Sequence, residues 1–349
     1  MTNVEHQIIL SDSSVKTALK QLNGRGYDTV LFVIDESRQL IGSLTDGDIR
    51  RGLLQGNDLE TKVGIICNPS PNYLQQEQQT IFDVIQLRSN GYRIVPILNE
   101  RREIVDILNF NNKRSALPID VVIMAGGRGS RLQPLTNDTP KPLLIVGEKP
   151  IIDYSFDRLL QFGVSNFHIT VRYLGQQIRQ HFLQKRDPTA SVNIIEETIP
   201  LGTIGAVTLV EEFKSDYVLI TNSDILTSID YEDFFVEFLK SGADMSVVGI
   251  PYVVPIPYAV MHLKDDCVTS FEEKPTYTYY SNGGIYLVKT SLLKSIPKQT
   301  FYNTTDLMES LLKEGGKLHT YRLKEYWLDV GKHEDFKKAQ SDFKQVLNA

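Results

Sequence analysis

Val121-Val122-Ile123-Met124-Ala125-Gly126-Gly127-Arg128-Gly129-Ser130-Arg131-Leu132-Gln133-Pro134-Leu135-Thr136 falls into two halves of different physics. The first four residues are a short continuous apolar run, the pattern of a strand buried on both faces of a parallel sheet. Three glycines within the next few residues let backbone N–H groups approach a polyphosphate closely. Arg131, and Lys141 in the following Pro140-Lys141-Pro142-Leu143-Leu144, add mobile positive charge. That combination suits a nucleoside triphosphate whose pyrophosphate departs with growing negative charge. The spacing is not that of the dinucleotide-binding fingerprint, and Gly-Lys-Ser/Thr of the P-loop is absent. A strand-to-loop turn carrying exposed cations would account for a lone Gly-Gly. It does not account for the whole string from Ala125 to Leu144.

Working outward, strands and helices alternate. The periodicity predicts a helix through Ile152, Phe156, Leu159 and Leu160 that ends at Gly163, then a strand over 167–171 and a helix over 175–183. A strand over 192–196, a helix over 205–213 and a strand over 217–221 follow. This is an α/β pattern with a mostly parallel sheet and helices on both faces. Ligands of such sheets bind beyond the carboxyl ends of the strands. Asp224 ends an apolar strand there, placed to hold Mg²⁺. Capping the helix at Tyr231 is its alternative use, but Asp230 is better sited for that. Tyr326-Trp327-Leu328-Asp329-Val330-Gly331 supplies a second acid, beside an aromatic that also reads as core, ahead of a helix over 334–347.

The string from Ala125 to Leu144 resembles the signature of the sugar-phosphate nucleotidyltransferases, the NDP-sugar pyrophosphorylases, and the likeness runs from Val121 to the C-terminal helix. The resemblance implies a Rossmann-like, GT-A-like domain over 119–349. It gives Gly126, Gly127 and Gly129 to the triphosphate, Arg131 and Lys141 to the transfer, and Asp224 and Asp329 to catalysis as the metal pair. Glu196 and the loop Leu201-Gly202-Thr203-Ile204-Gly205 are similar to the family's Leu-Gly-Thr-Ala-Gly base-and-sugar loop, with Ile204 where Ala is usual. Thr203 also reads as the N-cap of the following helix. Glu273 and Lys274 match the family's Glu-Lys-Pro, which holds sugar hydroxyls and sugar phosphate. Asn282 matches an Asn-x-Gly-x-Tyr strand flooring the sugar pocket. Each of these later matches is weak alone, because a surface Glu-Lys pair is usually a solvated face. Their order and spacing carry the weight.

The first third of the chain repeats itself. Val33 to Ile41 lines up with Ile97 to Val105 at an offset of 64 residues, each copy reading as strand, polar turn, strand. An amphipathic helix precedes each, with Val15, Ala18, Leu19 and Leu22 in one and Ile81, Val84, Ile85 and Leu87 in the other, closing near Gly24 and Gly91. Two copies of one unit suggest a pseudo-symmetric α+β pair. The pattern resembles a tandem pair of CBS domains over 1–113, with a polar linker at 114–118. In that family, Thr-x-x-Asp at a helix start binds the ribose of an adenine nucleotide. The first copy has Thr45 and Asp48 there, which serve equally well as a helix-capping pair. The second copy offers Asn109 and Asn112 and does not match. CBS pairs commonly associate face to face, which implies a homo-oligomer.

Composition narrows the function classes. The chain has 349 residues, 41% of them hydrophobic, and a net charge of −6. That is enough to bury two cores, and it gives no general affinity for nucleic acid or anionic membrane. There is no secretory pattern at the N-terminus and no apolar run of membrane-spanning length, so a cytoplasmic protein is expected. Cys67 and Cys267 read as small buried residues in a reducing compartment. The six histidines show no metal-ligand spacing. The reaction expected is nucleoside triphosphate plus sugar 1-phosphate giving nucleoside-diphosphate sugar and pyrophosphate, with Mg²⁺. A CBS pair ahead of a short transferase resembles the guanylyltransferases of bacterial surface-sugar pathways, including those leading to legionaminic acid. GTP with a hexosamine or hexose 1-phosphate is therefore the reading, with uridylyl or thymidylyl transfer as the near alternative. From another class stands a nucleotide-sensing regulator on a dead scaffold. The joint presence of Arg131, Lys141, Asp224 and Asp329 argues against it.

Overall fold

The computed structural model describes residues 4–23, 29–76, 78–185 and 187–347. They form two compact units: Met1–Leu117 with Leu160–Gly163 and Asp187–Thr189, and the remainder of the chain.

In the first unit, β1 (Ile8–Leu10), β2 (Val30–Ile34) and β3 (Leu40–Thr45) form one sheet, and β4 (Leu74–Gln75), β5 (Ile94–Leu98) and β6 (Ile104–Asn109) form another. Each sheet has a parallel pair followed by an antiparallel pair. The 64-residue offset persists to single residues. A bulge falls between Val33 and Ile34 in one copy and between Ile97 and Leu98 in the other. Arg38 and Arg102 both take left-handed backbone, at φ 63° and 62°. Asp35 and Asn99 hold those turns, accepting from Gln39 N–H at 2.8 Å and Glu103 N–H at 3.0 Å. The copies share a core, with Phe32, Ile34 and Leu40 of one packed among Ile94, Leu98 and Ile107 of the other. The helices Val15–Leu22 and Ile81–Ser89 bury the predicted faces, and Gly91 follows the second at positive φ. Gly24 lies outside the described residues. The copies differ after their last strands. The helix Asp46–Leu54 follows β3, whereas a turn follows β6, closed by Asn112 N–H and Lys113 N–H donating to Asn109 C=O.

The second unit contains β7 (Asp120–Ala125), the short hairpin β8 (Ile145–Val146) and β9 (Lys149–Pro150), β10 (Asn166–Val171), β11 (Ser191–Glu196), β12 (Tyr217–Asn222) and β13 (Ile225–Thr227). Then come β14 (Met245–Pro255), β15 (Val260–Lys264), β16 (Cys267–Glu272), β17 (Thr276–Lys289), β18 (Leu318–Arg322) and β19 (Trp327–Asp329). Seven strands form the main sheet in the order β11-β10-β7-β12-β17-β14-β18. The first four are mutually parallel, β17 is antiparallel to both its neighbours, and β18 is parallel to β14. Val121, Val122 and Ile123 are fully buried at its centre, as the apolar run requires. The chain leaves β7 for β10 and β11 on one side, then returns to the other side as β12. A crevice opens outside the carboxyl ends of strands at such a reversal.

Helices lie where the period places them: Ile151–Gln161, Gly175–Gln184, Tyr231–Ser241 and His333–Leu347. Asp230 caps the third, accepting from Glu232 N–H and Asp233 N–H at 2.9 and 3.0 Å. The helix expected over 205–213 is instead a short 3₁₀ segment, Gly205–Leu209. Val207, Thr208 and Val210 are β-branched, and the Thr208 hydroxyl donates to Gly205 C=O at 2.7 Å, competing with the helical ladder. The cysteines also depart from expectation. Cys67 is only half-buried and Cys267 is exposed, because it sits at the tip of the β15–β16 hairpin rather than in a core. Among the described residues no helix is long and apolar enough to cross a membrane.

Candidate active site

The crevice at the end of β7 and β12 is a cleft of about 480 Å³. The glycine loop forms one wall, with Gly126, Gly127, Gly129, Ser130 and Arg131 all lining it. Gly126 has a steric reason to be glycine, since a Cβ there would stand 2.4 Å from the Glu197 carboxylate oxygen Oε1. The Thr136 hydroxyl donates to Gly129 C=O at 2.9 Å and ties the loop's far end down. Lys141 opens a 3₁₀ turn and is 9% exposed, yet its ammonium reaches the cleft.

Of the two predicted acids, Asp224 lines this cleft, and Asp329 lies beside Asp224 and Lys141 without lining it. Asp224 lies just beyond β12 and precedes β13, and β13 pairs antiparallel with β19 so that Ile225 faces Asp329. Val330 N–H closes the arrangement by donating to Asp224 C=O at 3.0 Å. Trp327, two residues before Asp329, donates its indole N–H to Gly283 C=O at 2.9 Å and anchors β19 to β17. Lys141 Nζ forms a short ion pair with Asp224 Oδ2 and lies 3.9 Å from Asp329 Oδ1. The Asp329 carboxyl is pushed above the usual range by burial and then by the neighbouring Asp224 charge, against the pull of Lys141 and Arg131. One oxygen of each acid, Oδ1, is buried without a hydrogen-bond donor. Two hard oxygens left unsatisfied beside the glycine loop are a donor set suited to Mg²⁺, which keeps several waters and needs only one or two carboxylates from a protein. No cluster of three or more His, Cys, Asp or Glu with metal-binding geometry occurs among the described residues.

The opposite wall carries groups that the sequence reading did not single out. Arg172 follows β10, and Glu197 extends β11 by one bond, its N–H donating to Val171 C=O at 2.8 Å. Glu197 is 7% exposed. Burial raises its carboxyl above the ordinary range, against the pull of Thr170, Arg172 and the Leu201 backbone. Arg172 Nε is buried and has no hydrogen-bond partner. Gly202 and Thr203 line the cleft as expected. Gly202 sits at φ 80° with Tyr302 C=O 2.5 Å from where a Cβ would be, so both backbone and space demand glycine. The Thr203 hydroxyl accepts from Thr304 N–H at 2.9 Å, capping the helix Thr304–Lys313 rather than its own segment. Asn303 and Asn222 complete the polar lining.

Other predicted residues are placed elsewhere. Glu196 is outside this lining, its carboxylate turned towards Arg179 at 4.0 Å; Glu197, its neighbour, is the one facing the cleft. No parity in the sequence separated two adjacent glutamates at a strand end. Asn282 holds the β17 bend, accepting from Gly284 N–H at 2.9 Å. Glu273 and Lys274 lie exposed at a turn between β16 and β17, outside the cleft lining, with Lys274 at φ 46°. In the first unit, Thr45 and Asp48 form a complete capping box, with Thr45 N–H donating to Asp48 Oδ2 at 2.8 Å and Asp48 N–H to Thr45 Oγ1 at 3.3 Å. They also line a separate cleft of about 550 Å³ with Arg51, Asn68, Tyr92 and Arg93.

This α/β fold with a glycine-loop cleft and paired acids defines a nucleotidyl-transfer scaffold. The Nucleotidyl transferase family model matches residues 120–346, and the chain belongs to that family. A CBS domain model matches residues 5–55. Among curated proteins, the mannose-1-phosphate guanyltransferase of Yarrowia lipolytica is 32% identical over 231 residues, 62% of this chain and 61% of that protein. The mannose-1-phosphate guanylyltransferase catalytic subunit beta of Danio rerio is 27% identical, over 62% of each chain. The chain thus spans about three-fifths of the length of these relatives. Among solved structures, HddC from Yersinia pseudotuberculosis complexed with GMP-PN is 26% identical with a TM-score of 0.51, over 64% of this chain and 99% of that one. A putative glucose-1-phosphate thymidylyltransferase from Bacillus anthracis shares the fold at 24% identity and a TM-score of 0.51, over 64% and 94%.

Proposed function

We infer that the second unit transfers a nucleotidyl group from a nucleoside triphosphate to a sugar 1-phosphate, releasing pyrophosphate. The observation that carries this reading is the group of Asp224, Asp329 and Lys141 at the open end of the glycine loop. A phosphate oxygen of the sugar attacks the α-phosphorus, one P–O bond forms, and the α–β bridging P–O bond breaks. The nucleophile is already anionic, so no general base is needed. The difficulty is bringing two anions together in line. Glycine-loop N–H groups hold the triphosphate, Arg131 faces the charge that grows on the departing pyrophosphate, and Lys141 stands beside the acids. Asp224 and Asp329 would hold Mg²⁺, which when bound offsets phosphate charge. Lys274 and Glu273 are assigned to the sugar phosphate and hydroxyls, and Asn282 to the floor of the sugar site.

GTP with a hexose or hexosamine 1-phosphate is the substrate pair this reading favours. Guanine presents two adjacent donors, N1–H and N2–H₂, beside the acceptor O6. The cleft wall offers a buried carboxylate, Glu197, next to an arginine with an unpartnered N–H, Arg172. Uracil and thymine present one donor between two acceptors and match that pair less well. The names of the mannose-1-phosphate guanyltransferase relatives, and the GMP-PN held by HddC, support the same choice. Residues 1–113 are read as a regulatory and oligomerising pair joined by 114–118 to a catalytic domain of 119–349. The cleft at Thr45 and Asp48 is assigned to an adenine nucleotide. Pyrophosphate release measured with each of the four common ribonucleoside triphosphates and with dTTP, against several sugar 1-phosphates, tests the proposal. GTP should give the highest kcat/KM, and Arg172→Ala should erode that preference.

A further inference from the structure

Just before the helix Thr304–Lys313, the chain runs beside the loop 201–205 and is stitched to it through one residue. Tyr302 N–H donates to Leu201 C=O at 3.0 Å, and Tyr302 C=O accepts from Ile204 N–H at 3.2 Å and Gly205 N–H at 3.1 Å. The Tyr302 side chain packs against the core that holds Ile204, Val207 and Tyr286. Side chains alternate along extended backbone, and the residues on either side of Tyr302, Phe301 and Asn303, both line the active-site cleft. Phe301 is 60% exposed and is the only aromatic among the described residues of that lining. A single exposed phenylalanine is ordinary on an open surface, but this one is held at a cleft by the bonds of its neighbour. Asn303 is fixed as well. Its Oδ1 accepts from Thr203 N–H at 3.3 Å, which turns the amide NH₂ away from that loop, and the NH₂ has no partner among the described residues.

We propose that Phe301 and Asn303 recognise the sugar: the Phe301 ring packs on the C–H face of the pyranose, and the Asn303 NH₂ donates to a hydroxyl on its rim. The presence of a sugar rests on the transfer reading above. Two observations place these residues at the sugar rather than at the base. The sheet order sets β10 and β11, whose ends carry Arg172 and Glu197, on one side of β7, with β12 and β17 on the other. Thr304, next to Asn303, belongs to the β17 side, because its side chain and that of Asn282 both hydrogen-bond the Tyr286 hydroxyl. The chemistry agrees with the placement. A guanine edge is read by a carboxylate and a cation, which the β10–β11 wall supplies. A pyranose has an apolar C–H face and a rim of hydroxyls, and an aromatic ring beside an amide NH₂ offers a surface for each.

Saturation-transfer difference NMR tests this without turnover. Mannose 1-phosphate and glucosamine 1-phosphate are each added to the full chain with Mg²⁺ and the α,β-methylene analogue of GTP. Ring C–H protons of at least one sugar should be saturated on irradiation of the protein's aromatic protons. Phe301→Ala should abolish that transfer, and Phe301→Tyr, which keeps the ring, should retain it. Transfer to neither sugar in wild type, or transfer that survives Phe301→Ala, overturns the proposal. At least one monodeoxy analogue should bind wild type about 10-fold more weakly than its parent, and Asn303→Ala should erase that difference. A variant that keeps every such penalty overturns the role of Asn303. In turnover, Phe301→Ala should raise KM for the sugar 1-phosphate roughly 10-fold, the scale of an aromatic contact, with KM for GTP unchanged. A rise in KM for GTP instead would put the ring on the base and overturn the proposal. Transfer to a sugar in wild type, with no pyrophosphate released from any triphosphate, would sink the transfer reading and leave the sugar contact standing.

Discussion

Asp329 lies in register with Ile225 across an antiparallel pair, which carries its carboxylate to that of Asp224 although 104 residues separate the two acids in sequence. Lys141 lies against both. If the pair serves the transfer, Asp224→Asn or Asp329→Asn should lower kcat by at least 100-fold, the scale of losing charge stabilisation aimed at a transition state. Circular dichroism should show the fold retained, because neither side chain belongs to the core. Ordinary Mg²⁺-dependent turnover in either variant would remove the metal role.

The same relationship predicts a stability effect of opposite sign. Burial and Asp224 raise the Asp329 carboxyl. A carboxyl raised in the folded state favours folding while protonated, and that contribution is lost as pH climbs through the raised value. At neutral pH the ionised group works against the fold. Asp329→Asn should therefore raise Tm at pH 7 in metal-free buffer, and the gain should shrink on acidification and vanish below about pH 3.9, the unfolded carboxyl's value, where both states come to hold the proton. A lower Tm for the variant at pH 7 would contradict this.

Arg131 tests whether the loop acts in the transition state or merely binds. Arg131→Ala removes a cation facing the departing pyrophosphate and should cut kcat by roughly 100-fold. A rise confined to KM for the triphosphate would make Arg131 a ground-state binder.

Glu197 tests the choice of base. Glu197→Gln replaces an acceptor-only group by one that is half donor. The ratio of kcat/KM for GTP over UTP should fall by up to about 100-fold, the scale of the ~1–3 kcal/mol lost when a buried hydrogen-bonding group is left unsatisfied. An unchanged ratio would locate base reading elsewhere.

In the first unit, capping and ligand binding make separable demands on Asp48. Asp48→Ala should cost about 1 kcal/mol of stability through the lost capping box. It should also abolish calorimetric binding of AMP, ADP or ATP to the full chain. If none of the three binds wild type, only the capping role survives.

Much of this was legible in the chain because short-range physics fixed it. The apolar run 121–124 is a central strand, Asp230 is an N-cap, and the 64-residue repeat returns as matched bulges and matched left-handed arginines. Convergence of Lys141, Asp224 and Asp329 followed from a family motif, but its cause, the β13–β19 pair, is long-range and has no local signal. Arg172 and Glu197 escaped for a related reason. Their role depends on which of two adjacent strand-end residues turns inward, and hydrophobic alternation ends before that point. The 205–213 segment was read as a helix from its apolar spacing, and β-branching with a local Thr208 bond prevailed.

Phosphorus-31 NMR of the full chain with GTP, Mg²⁺ and mannose 1-phosphate or glucosamine 1-phosphate tests the central claim most directly. The account predicts that resonances of inorganic pyrophosphate and of a GDP-sugar diphosphate grow in equal amounts with at least one of these sugars as GTP is consumed. Release of inorganic phosphate without a GDP-sugar, or GTP that persists unchanged with every sugar phosphate offered, would contradict it.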